Sequence, residues 1–250
     1  MRKRIAVVPG DGIGVEVTRE GVKALQAVAQ TGGHQFEWVE FDWGAERYLR
    51  EGVSLPPGAL EDLRENFDAI LLGALGDPRL PDMRHAKDIL FGMRFGLELF
   101  ANIRPVKLLA PQLTPLKNRT AIDFVILREN TEGLYAGVGG NFKKGTPDEV
   151  ALQEDINTYR GMERIIRYAF EYARAHGRRR LVMCDKSNAL TYGHDLWQRV
   201  FAELQPRYSD IDSSHLYVDN LAFQLVKDPT RFDVIVTCNM FGDILSDLCA

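Results

Sequence analysis

The chain has 250 residues, of which 45 % are hydrophobic and 26 % are charged. This composition excludes a disordered protein and allows a sizeable core or two modest domains. The 31 lysines and arginines against 35 aspartates and glutamates give a formal net charge of −4, which does not favour binding to nucleic acid or to an acidic membrane. No apolar run reaches the roughly 18 residues of a membrane span, and no signal-peptide core is visible, so we predict a cytoplasmic protein.

Short β-branched runs alternate with longer amphipathic stretches, a pattern that predicts an α/β fold with a largely parallel sheet. A strand is predicted at 5–8, followed by a glycine-rich turn at 10–14 and a helix at 15–29. The later predicted strands are 36–41, 67–72, 103–109, 124–127, 181–184, 215–218 and 234–238. The later predicted helices are 88–99, 162–175 (followed by Gly177 as its left-handed cap), 194–204 and 221–226.

Three further features are the segment 137–155, the cysteines and the chain end. The segment 137–155 is rich in glycine, lysine and acidic residues, which is typical either of a solvated loop or hairpin or of an arm that pairs with another subunit. The three cysteines form no C-x-x-C pair, and we interpret Cys184 and Cys238, which lie in apolar runs, as reduced core residues. The chain ends at Ala250 inside a helix-like stretch.

The turn at 10–14, Gly-Asp-Gly-Ile-Gly, lies between a predicted strand and a predicted helix. Glycine allows backbone amides to approach a ligand, and a helix N-terminus favours negative charge. The spacing is not that of a G-x-G-x-x-G fingerprint, and the turn lacks the lysine of a phosphate-binding loop. It is therefore either a weak anion-binding signal or a tight structural turn.

Three arginines, Arg94, Arg104 and Arg128, lie in or beside apolar stretches. A guanidinium group is rarely buried without an anion, and its planar fork matches a carboxylate, so the three together indicate a substrate with several carboxylates. The alternative is that they form structural ion pairs with Glu98, Glu129 or Glu132.

Asp243 and Asp247 are four residues apart in a predicted helix and therefore lie on one face. Two such acids repel each other unless a cation lies between them, and oxygen ligands favour Mg²⁺ or Mn²⁺ over Zn²⁺. Asp243 has the alternative role of an acid that compensates the helix dipole. Lys186 follows a strand and is a candidate general base or a surface lysine, and Tyr135 is a candidate proton donor or a strand cap.

Taken together, these pieces resemble the β-decarboxylating dehydrogenases, the family that acts on isocitrate, isopropylmalate, homoisocitrate and tartrate. The resemblance spans the whole chain and rests on six motifs in family order. They are PGDGIG (9–14), Arg94 with ANIRP (101–105), RENTEGLY (128–135), KSN (186–188), VDN (218–220) and NMFGDILSD (239–247).

The resemblance implies a role for each matching position. Arg94, Arg104 and Arg128 would bind the carboxylates of a 2-hydroxy diacid or triacid, and Asp243 and Asp247, with Asp219 of a partner subunit, would hold Mg²⁺ or Mn²⁺. Lys186, also from the partner, would take the hydroxyl proton, and Tyr135 would protonate the enol carbon after CO₂ leaves. Gly12, Ile13 and Asn188 would contact NAD, with NADP as the alternative. A homodimer with shared active sites follows, in which 137–155 is the dimer arm.

The residues before Arg94 bear on the choice of substrate. Leu90 and Phe91 are four and three residues before it, share its helical face and would form an apolar wall for an alkyl substituent. This favours 3-isopropylmalate and leucine biosynthesis. Homoisocitrate, isocitrate and tartrate or malate stay open, because the motif at 128–133 is closer to those branches and Lys87 could meet an extra carboxylate.

The family has two α/β domains, one of which is built from both ends of the chain. Here the resemblance implies the first part of that cofactor-side domain at 1–98 and a central substrate and dimerisation domain at 99–250. We expect the family's adenosine-binding segment to be missing after Ala250. A non-catalytic, dimerising fragment is therefore the alternative to an active enzyme.

Overall fold

A computed structural model describes residues 2–117 and 121–250. The chain divides into two compact units, Met1–Glu98 and Leu99–Ala250, each with its own apolar core. Both units combine helices with parallel strands, so the predicted α/β fold class is confirmed. Among the described residues, no helix has the length and apolar character needed to cross a bilayer.

The strands are β1 Arg2–Val8, β2 Gln35–Glu40, β3 Ala69–Leu72, β4 Ala101–Lys107, β5 Asp123–Glu129, β6 Gly139–Phe142, β7 Val150–Gln153, β8 Arg180–Asp185, β9 Asp212–Tyr217 and β10 Val234–Thr237. The helices are α1 Ile13–Thr31, α2 Ala45–Glu51, α3 Ala59–Asn66, α4 Arg84–Gly96, α5 Tyr159–Ala175, α6 Gly193–Leu204, α7 Val218–Lys227 and α8 Asn239–Leu248. Within the described part of the chain, short 3₁₀ turns lie at Pro111–Leu113, Leu134–Ala136, Gln205–Tyr208 and Pro229–Arg231.

The first unit is built on a three-stranded parallel sheet in the order β2-β1-β3. Its core contains Ala6 and Val8 of the central strand, packed with Trp43, Ile89 and Met93. In α1, by contrast, the buried residues are Gly14, Thr18 and Ala29. Val15, Leu25 and Val28 of the same helix are exposed, Val28 to 65 %.

The second unit is built on a five-stranded sheet in the order β4-β5-β10-β8-β9. Its pairs are parallel except for β4 with β5, which is antiparallel. Strands β8 and β10 are buried along nearly their whole length, as expected for parallel strands covered on both faces. Helices α5 and α6 pack on each other and on the sheet, and so do α7 and α8. The predicted core cysteines Cys184 and Cys238 are buried here and free.

The segment predicted as a loop, hairpin or arm contains the two-stranded antiparallel hairpin β6–β7. Its apolar side chains face solvent: Phe142 is 61 % exposed, Val150 50 % and Leu152 48 %. An isolated two-stranded hairpin is at best marginally stable in water. The hairpin form is confirmed, and pairing with another subunit stays a prediction.

Several predicted boundaries were wrong. The helix predicted at 88–99 begins four residues earlier, at Arg84, and ends at Gly96 because Glu98 adopts a left-handed backbone conformation with φ of 51°. The strand predicted at 215–218 ends at Tyr217, since Val218 already belongs to α7. Gly177 has φ of 64° after α5, which confirms it as the left-handed residue that ends that helix.

Candidate active site

The candidate residues fall into two sets, one in each unit. The first unit contains Gly12, Ile13, Leu90, Phe91 and Arg94. The second unit contains Arg104, Arg128, Tyr135, Lys186, Asn188, Asp219, Asp243 and Asp247. Most members of the second set lie at or just after the carboxyl end of a strand or in a helix that follows one, where α/β proteins commonly bind ligands.

The glycine-rich turn of the first unit ends at Gly12, the residue before α1, with φ of 50° and no side-chain cap. Ile13 is 63 % exposed. A Cβ on Gly10 or Gly14 would collide with the backbone of Ala74, so both glycines permit a close backbone approach. The first amides of the 19-residue helix α1 are thus without a side-chain acceptor from the capping residue.

Asp11, inside that turn, is a connecting residue that sequence reasoning missed. Its carboxylate is buried and accepts hydrogen bonds from the backbone amides of Ala45 (2.6 Å) and Gly76 (2.9 Å). Nε2 of the buried His85 lies 2.8 Å from the same carboxylate. Asp11 therefore joins the turn to the start of α2, to the loop at Gly76 and to α4. The sequence feature that could have identified Asp11 is its position between two glycines, Gly10 and Gly12.

In α4, the Arg94 guanidinium carbon lies 5.7 Å from the centre of the Phe91 ring. Phe91 also stacks on Phe95, with ring centres 5.8 Å apart. Beside these rings is a cavity of about 490 Å³ whose lining includes Phe91, Phe95 and Lys87. Leu90, one helical turn before Arg94, is half-buried and is not part of that lining.

Arg128, at the end of β5, is the most buried member of the second set, with only 1 % of its surface exposed. Its Nε and Nη2 donate to Oδ1 of Asn239 at 2.9 and 2.8 Å, and its Nη1 donates to Asp243. A Cβ on Gly242 would lie 2.6 Å from Arg128 Cβ, so this glycine lets α8 approach β5. The ion partner of Arg128 is Asp243, and not Glu129 or Glu132 as the structural alternative proposed.

Tyr135 completes this cluster from the 3₁₀ turn Leu134–Ala136. Its hydroxyl donates to Oδ2 of Asp243 at 2.7 Å, and the Arg128 guanidinium carbon lies 5.3 Å from its ring centre. Burial and the neighbouring carboxylate raise the pKa of Tyr135. Burial of Asp243 opposes its ionisation, but the Tyr135 hydrogen bond and the Arg128 charge outweigh it and lower the pKa of Asp243. The phenol thus stays protonated beside an ionised carboxylate.

Arg104 lies on the same face of the sheet as Arg128. The antiparallel register places Asn102 opposite Arg128, and Arg104 is two residues further along the same strand, where side chains point to the same side. Its Nε donates to Oδ1 of Asn102 at 3.0 Å. The charge of Arg104 also contributes to the lowered pKa of Asp243, so two of the three predicted arginines act on one electrostatic cluster.

Lys186 and Asp219 form a second cluster. Lys186 follows β8, Asp219 is in the first turn of α7, and Lys186 Nζ donates to Oδ1 of Asp219 at 2.5 Å. This hydrogen bond lowers the pKa of the Asp219 carboxyl. Asn188, two residues after the lysine, is exposed in the same turn.

The predicted metal ligands do not meet within a single chain. Asp243 and Asp247 lie one turn apart on α8, and Asp247 is exposed. Among residues 2–117 and 121–250 of one chain, no group of three or more histidine, cysteine, aspartate or glutamate side chains could hold a metal ion. The contribution of Asp219 from a partner subunit therefore stays a prediction.

Asp185 is a fully buried carboxylate that stabilises the turn carrying Lys186 and that sequence reasoning also missed. Asp185 accepts hydrogen bonds from the Ser187 amide at 3.1 Å and from Gln198 Nε2 at 2.8 Å. Nε2 of His215 on β9 lies 2.9 Å from it. A buried carboxylate is costly unless it is fully hydrogen-bonded, so these contacts fix the turn.

The fold and these clusters define the class: a two-unit α/β protein with a polar site of carboxylates, guanidinium groups, a tyrosine and a lysine. A family profile described as isocitrate/isopropylmalate dehydrogenase matches residues 4–250. The chain belongs to the isocitrate/isopropylmalate dehydrogenase family.

Individual relatives agree with this assignment. The chain is 46 % identical over 246 residues to a 3-isopropylmalate dehydrogenase of Streptomyces griseus, covering 98 % of this chain and 70 % of the relative. It is 45 % identical over 249 residues to one of Thermobifida fusca, covering 99 % and 70 %. Among solved structures, isocitrate dehydrogenase from Methylococcus capsulatus matches with a TM-score of 0.86 and 35 % identity, covering 99 % of this chain and 70 % of that one.

Proposed function

We propose that the protein catalyses the NAD-dependent oxidative decarboxylation of 3-isopropylmalate, as a cytoplasmic step of leucine biosynthesis, with NADP as the alternative cofactor. The observation that carries this proposal is the cluster in which Arg128 and Tyr135 both bind Asp243. In this cluster, Arg128 can bind a substrate carboxylate, Tyr135 is a protonated phenol, and Asp243 is an ionised oxygen ligand for a metal ion. The names of the relatives support the choice of substrate.

The two units have different roles, one in cofactor binding and the other in catalysis and dimerisation. Unit Met1–Glu98 is the cofactor-side unit, in which Gly12 and Ile13 present helix amides to the cofactor. Unit Leu99–Ala250 provides the chemistry and the dimer contacts. Asn188, exposed after Lys186, is a further cofactor contact.

The arginines bind and orient the substrate. Arg94, Arg104 and Arg128 bind its carboxylates, because a guanidinium fork donates two parallel hydrogen bonds to such a group. Arg128 suits this role particularly, since Asn239 fixes its Nε and Nη2 from one side. Orientation of this kind supplies a large part of a rate enhancement.

The acids fit a divalent cation. Asp243 is held ionised by its neighbours, Asp247 is exposed one turn away on the same helix, and Asp219 of the partner subunit completes a set of oxygen ligands suited to Mg²⁺ or Mn²⁺. Bound NAD would supply a hydride acceptor for C2, and a metal ion held by these acids would supply Lewis-acid stabilisation of the enolate oxygen.

Lys186 and Tyr135 move the protons. Lys186, provided by the partner subunit, accepts the proton of the substrate hydroxyl as hydride leaves. Its Nζ lies in the same polar cluster as Asp219, to which it donates a hydrogen bond. Tyr135 is protonated at neutral pH, since its pKa lies above the usual value for tyrosine, and it donates its proton to the enol carbon.

A homodimer follows because Lys186 and Asp219 of each proposed active site come from the partner subunit. The hairpin β6–β7 exposes Phe142, Val150 and Leu152, and its marginal stability alone supports pairing with the same hairpin of a second chain. We propose that this arm, within 137–155, joins the subunits.

The substituent of the substrate contacts α4. Leu90 and Phe91 are apolar and suit an isopropyl group, whereas Lys87 beside Phe91 is the residue that would favour the extra carboxylate of homoisocitrate or isocitrate. Leu90→Ser is expected to lower the preference for 3-isopropylmalate over isocitrate about 10-fold, since a few lost methyl groups change discrimination by this order. Unchanged relative kcat/KM values would contradict the apolar wall.

Calorimetry with Mg²⁺ and 3-isopropylmalate tests the proposed site without requiring turnover. Binding to the wild-type protein is expected, and Arg128→Lys should weaken it at least about 10-fold, because a point charge cannot replace the guanidinium fork. Arg199→Lys, at an exposed surface ion pair, is the matched control and should bind normally. Equal affinities for all three proteins would refute the proposed site.

A further inference from the structure

His194, in the first turn of α6, is almost fully buried at 1 % exposure. The backbone amide of Lys186 donates a hydrogen bond to its Nδ1 at 2.9 Å. Because an amide can donate only to an unprotonated nitrogen, Nδ1 carries no proton and the ring is neutral, with its proton on Nε2. Burial also lowers the pKa of His194, which keeps the ring in this form.

The other side of the imidazole faces the base of the hairpin arm. Its Nε2 is 3.7 Å from Oδ2 of Asp155, a residue that follows β7 by two positions. The same Oδ2 accepts a hydrogen bond from Asn157 at 2.7 Å, and Asn157 in turn accepts one from the indole of Trp197 at 3.1 Å. A Cβ on Gly193 would lie 2.6 Å from Asn157 Nδ2, so this glycine makes room for the network.

The ring also packs on the helix that carries the predicted metal ligands. The ring centres of His194 and Phe241 are 5.4 Å apart, and Phe241 lies two residues before Asp243 on α8. One imidazole thus contacts the lysine turn, the base of the arm and α8. A histidine that merely filled the core would not need the hydrogen bond from the Lys186 amide.

We propose that His194 is a positioning residue, which fixes the Lys186 turn through the Lys186 amide and connects that turn to Asp155 at the base of the arm. The inference deepens the proposed function, because it rests on Lys186 as the general base of the reaction. It assigns the imidazole no contact with substrate. It predicts that the acceptor at the Nδ1 position, and not the size of the side chain, determines the geometry of the turn.

Two substitutions separate the acceptor from the bulk of the ring. His194→Asn places a carbonyl oxygen near the position of Nδ1, whereas His194→Gln places its amide group near the position of Nε2. Asp195→Asn, at the neighbouring exposed residue that pairs with Arg199, is the control.

Hydrogen exchange of the Lys186 amide tests the contact without requiring turnover. His194→Gln should speed exchange about 10-fold, as expected for loss of one buried hydrogen bond, while His194→Asn and Asp195→Asn should stay near the wild-type rate. Equal exchange in the His194→Gln and wild-type proteins would overturn the proposal. If His194→Gln does not fold, the wild-type protein decides: a scalar coupling between the labelled Lys186 amide nitrogen and His194 Nδ1 is expected, and its absence overturns the proposal.

Turnover of 3-isopropylmalate tests the consequence for Lys186. His194→Gln should lower kcat about 10-fold or more with KM changed less than about twofold, since misplacing a reacting group affects the chemical step, and His194→Asn should restore most of kcat. Equal kcat for His194→Gln and wild type would overturn the positioning role. Absence of turnover in the wild type would count against the proposed function alone, because the exchange experiment still decides the role of His194.

Discussion

Gly242→Ala is the substitution whose effect follows most directly from the geometry of the site. The added Cβ would lie 2.6 Å from both Cβ and Cγ of Arg128 and 3.1 Å from its Cδ. Carbon atoms in contact need about 3.5 Å or more, so α8 and β5 must separate by roughly 1 Å. Asp243, the next residue on α8, must then shift relative to Arg128 and Tyr135.

The expected magnitudes separate stability from function. Overpacking of this kind costs about 1–3 kcal/mol, and alanine in place of glycine in a helix returns about 1 kcal/mol, so the free energy of unfolding should fall by about 0–2 kcal/mol. A displacement of about 1 Å in a catalytic group can lower the rate about 100-fold. Gly242→Ala should therefore lose far more activity than stability.

The assay compares denaturant unfolding and turnover of 3-isopropylmalate for this variant and for Gly21→Ala. Gly21 lies inside α1, and a Cβ placed there has no atom within 4 Å apart from its chain neighbours and the backbone of its own helix. Gly21→Ala should raise the free energy of unfolding by up to about 1 kcal/mol and leave activity unchanged. If Gly242→Ala stabilises the protein and preserves activity as Gly21→Ala does, the reasoning about Arg128 and α8 is refuted.

Three further predictions concern the Tyr135–Asp243 hydrogen bond, the pKa of the buried His194 and the hairpin arm. Tyr135→Phe removes a donor from Asp243, so an NMR titration should show the pKa of Asp243 raised and kcat reduced by about 100-fold or more; an unchanged Asp243 titration would contradict this. Because burial lowers the pKa of His194 below its usual 6.5, the unfolded chain takes up the proton first; the free energy of unfolding should fall as pH drops from 6.5 toward the lowered pKa, and less so in His194→Asn. Phe142→Asp on the exposed hairpin should dissociate the proposed dimer in sedimentation, whereas Lys144→Asp should not; a dimer that both variants leave intact would remove the arm from the interface.

Local periodicity predicted the elements that form the cores. The strands at 181–184 and 234–238 are continuous apolar runs, and the structure places both, as β8 and β10, in the middle of the sheet. The helices at 162–175 and 194–204 carry strong apolar faces and were predicted to within three residues of α5 and α6. Long-range pairing, including the antiparallel contact of β4 with β5, left no local mark in the sequence.

Helices α2 and α3 were missed for a physical reason. They have seven and eight residues, too few for a stable isolated helix, and most of their side chains are charged or polar. Each follows a glycine, Gly44 or Gly58, and not a recognisable capping side chain. Packing of a few residues, such as Leu63 in the core, determines their conformation.

The candidate site was predictable in its residue types and less so in its contacts. Arg128, Tyr135 and Asp243 were singled out by chemistry and by family resemblance, yet the ion partner of Arg128 lies 115 residues away and was not among the alternatives considered. The buried connectors Asp11, Asp185 and His194 were also missed. Each is an ordinary polar residue in the sequence, and only burial reveals its hydrogen-bonding role.

The measurement that tests the central claim most directly is the product balance with 3-isopropylmalate, NAD⁺ and Mg²⁺. Reduced nicotinamide and CO₂ should appear in equal amounts and only when the metal ion is present. Asp243→Asn should abolish both products, and Arg199→Lys should preserve them. Reduced nicotinamide without CO₂, or equal turnover in the Asp243→Asn and wild-type proteins, would contradict the proposed chemistry of the Arg128, Tyr135 and Asp243 cluster.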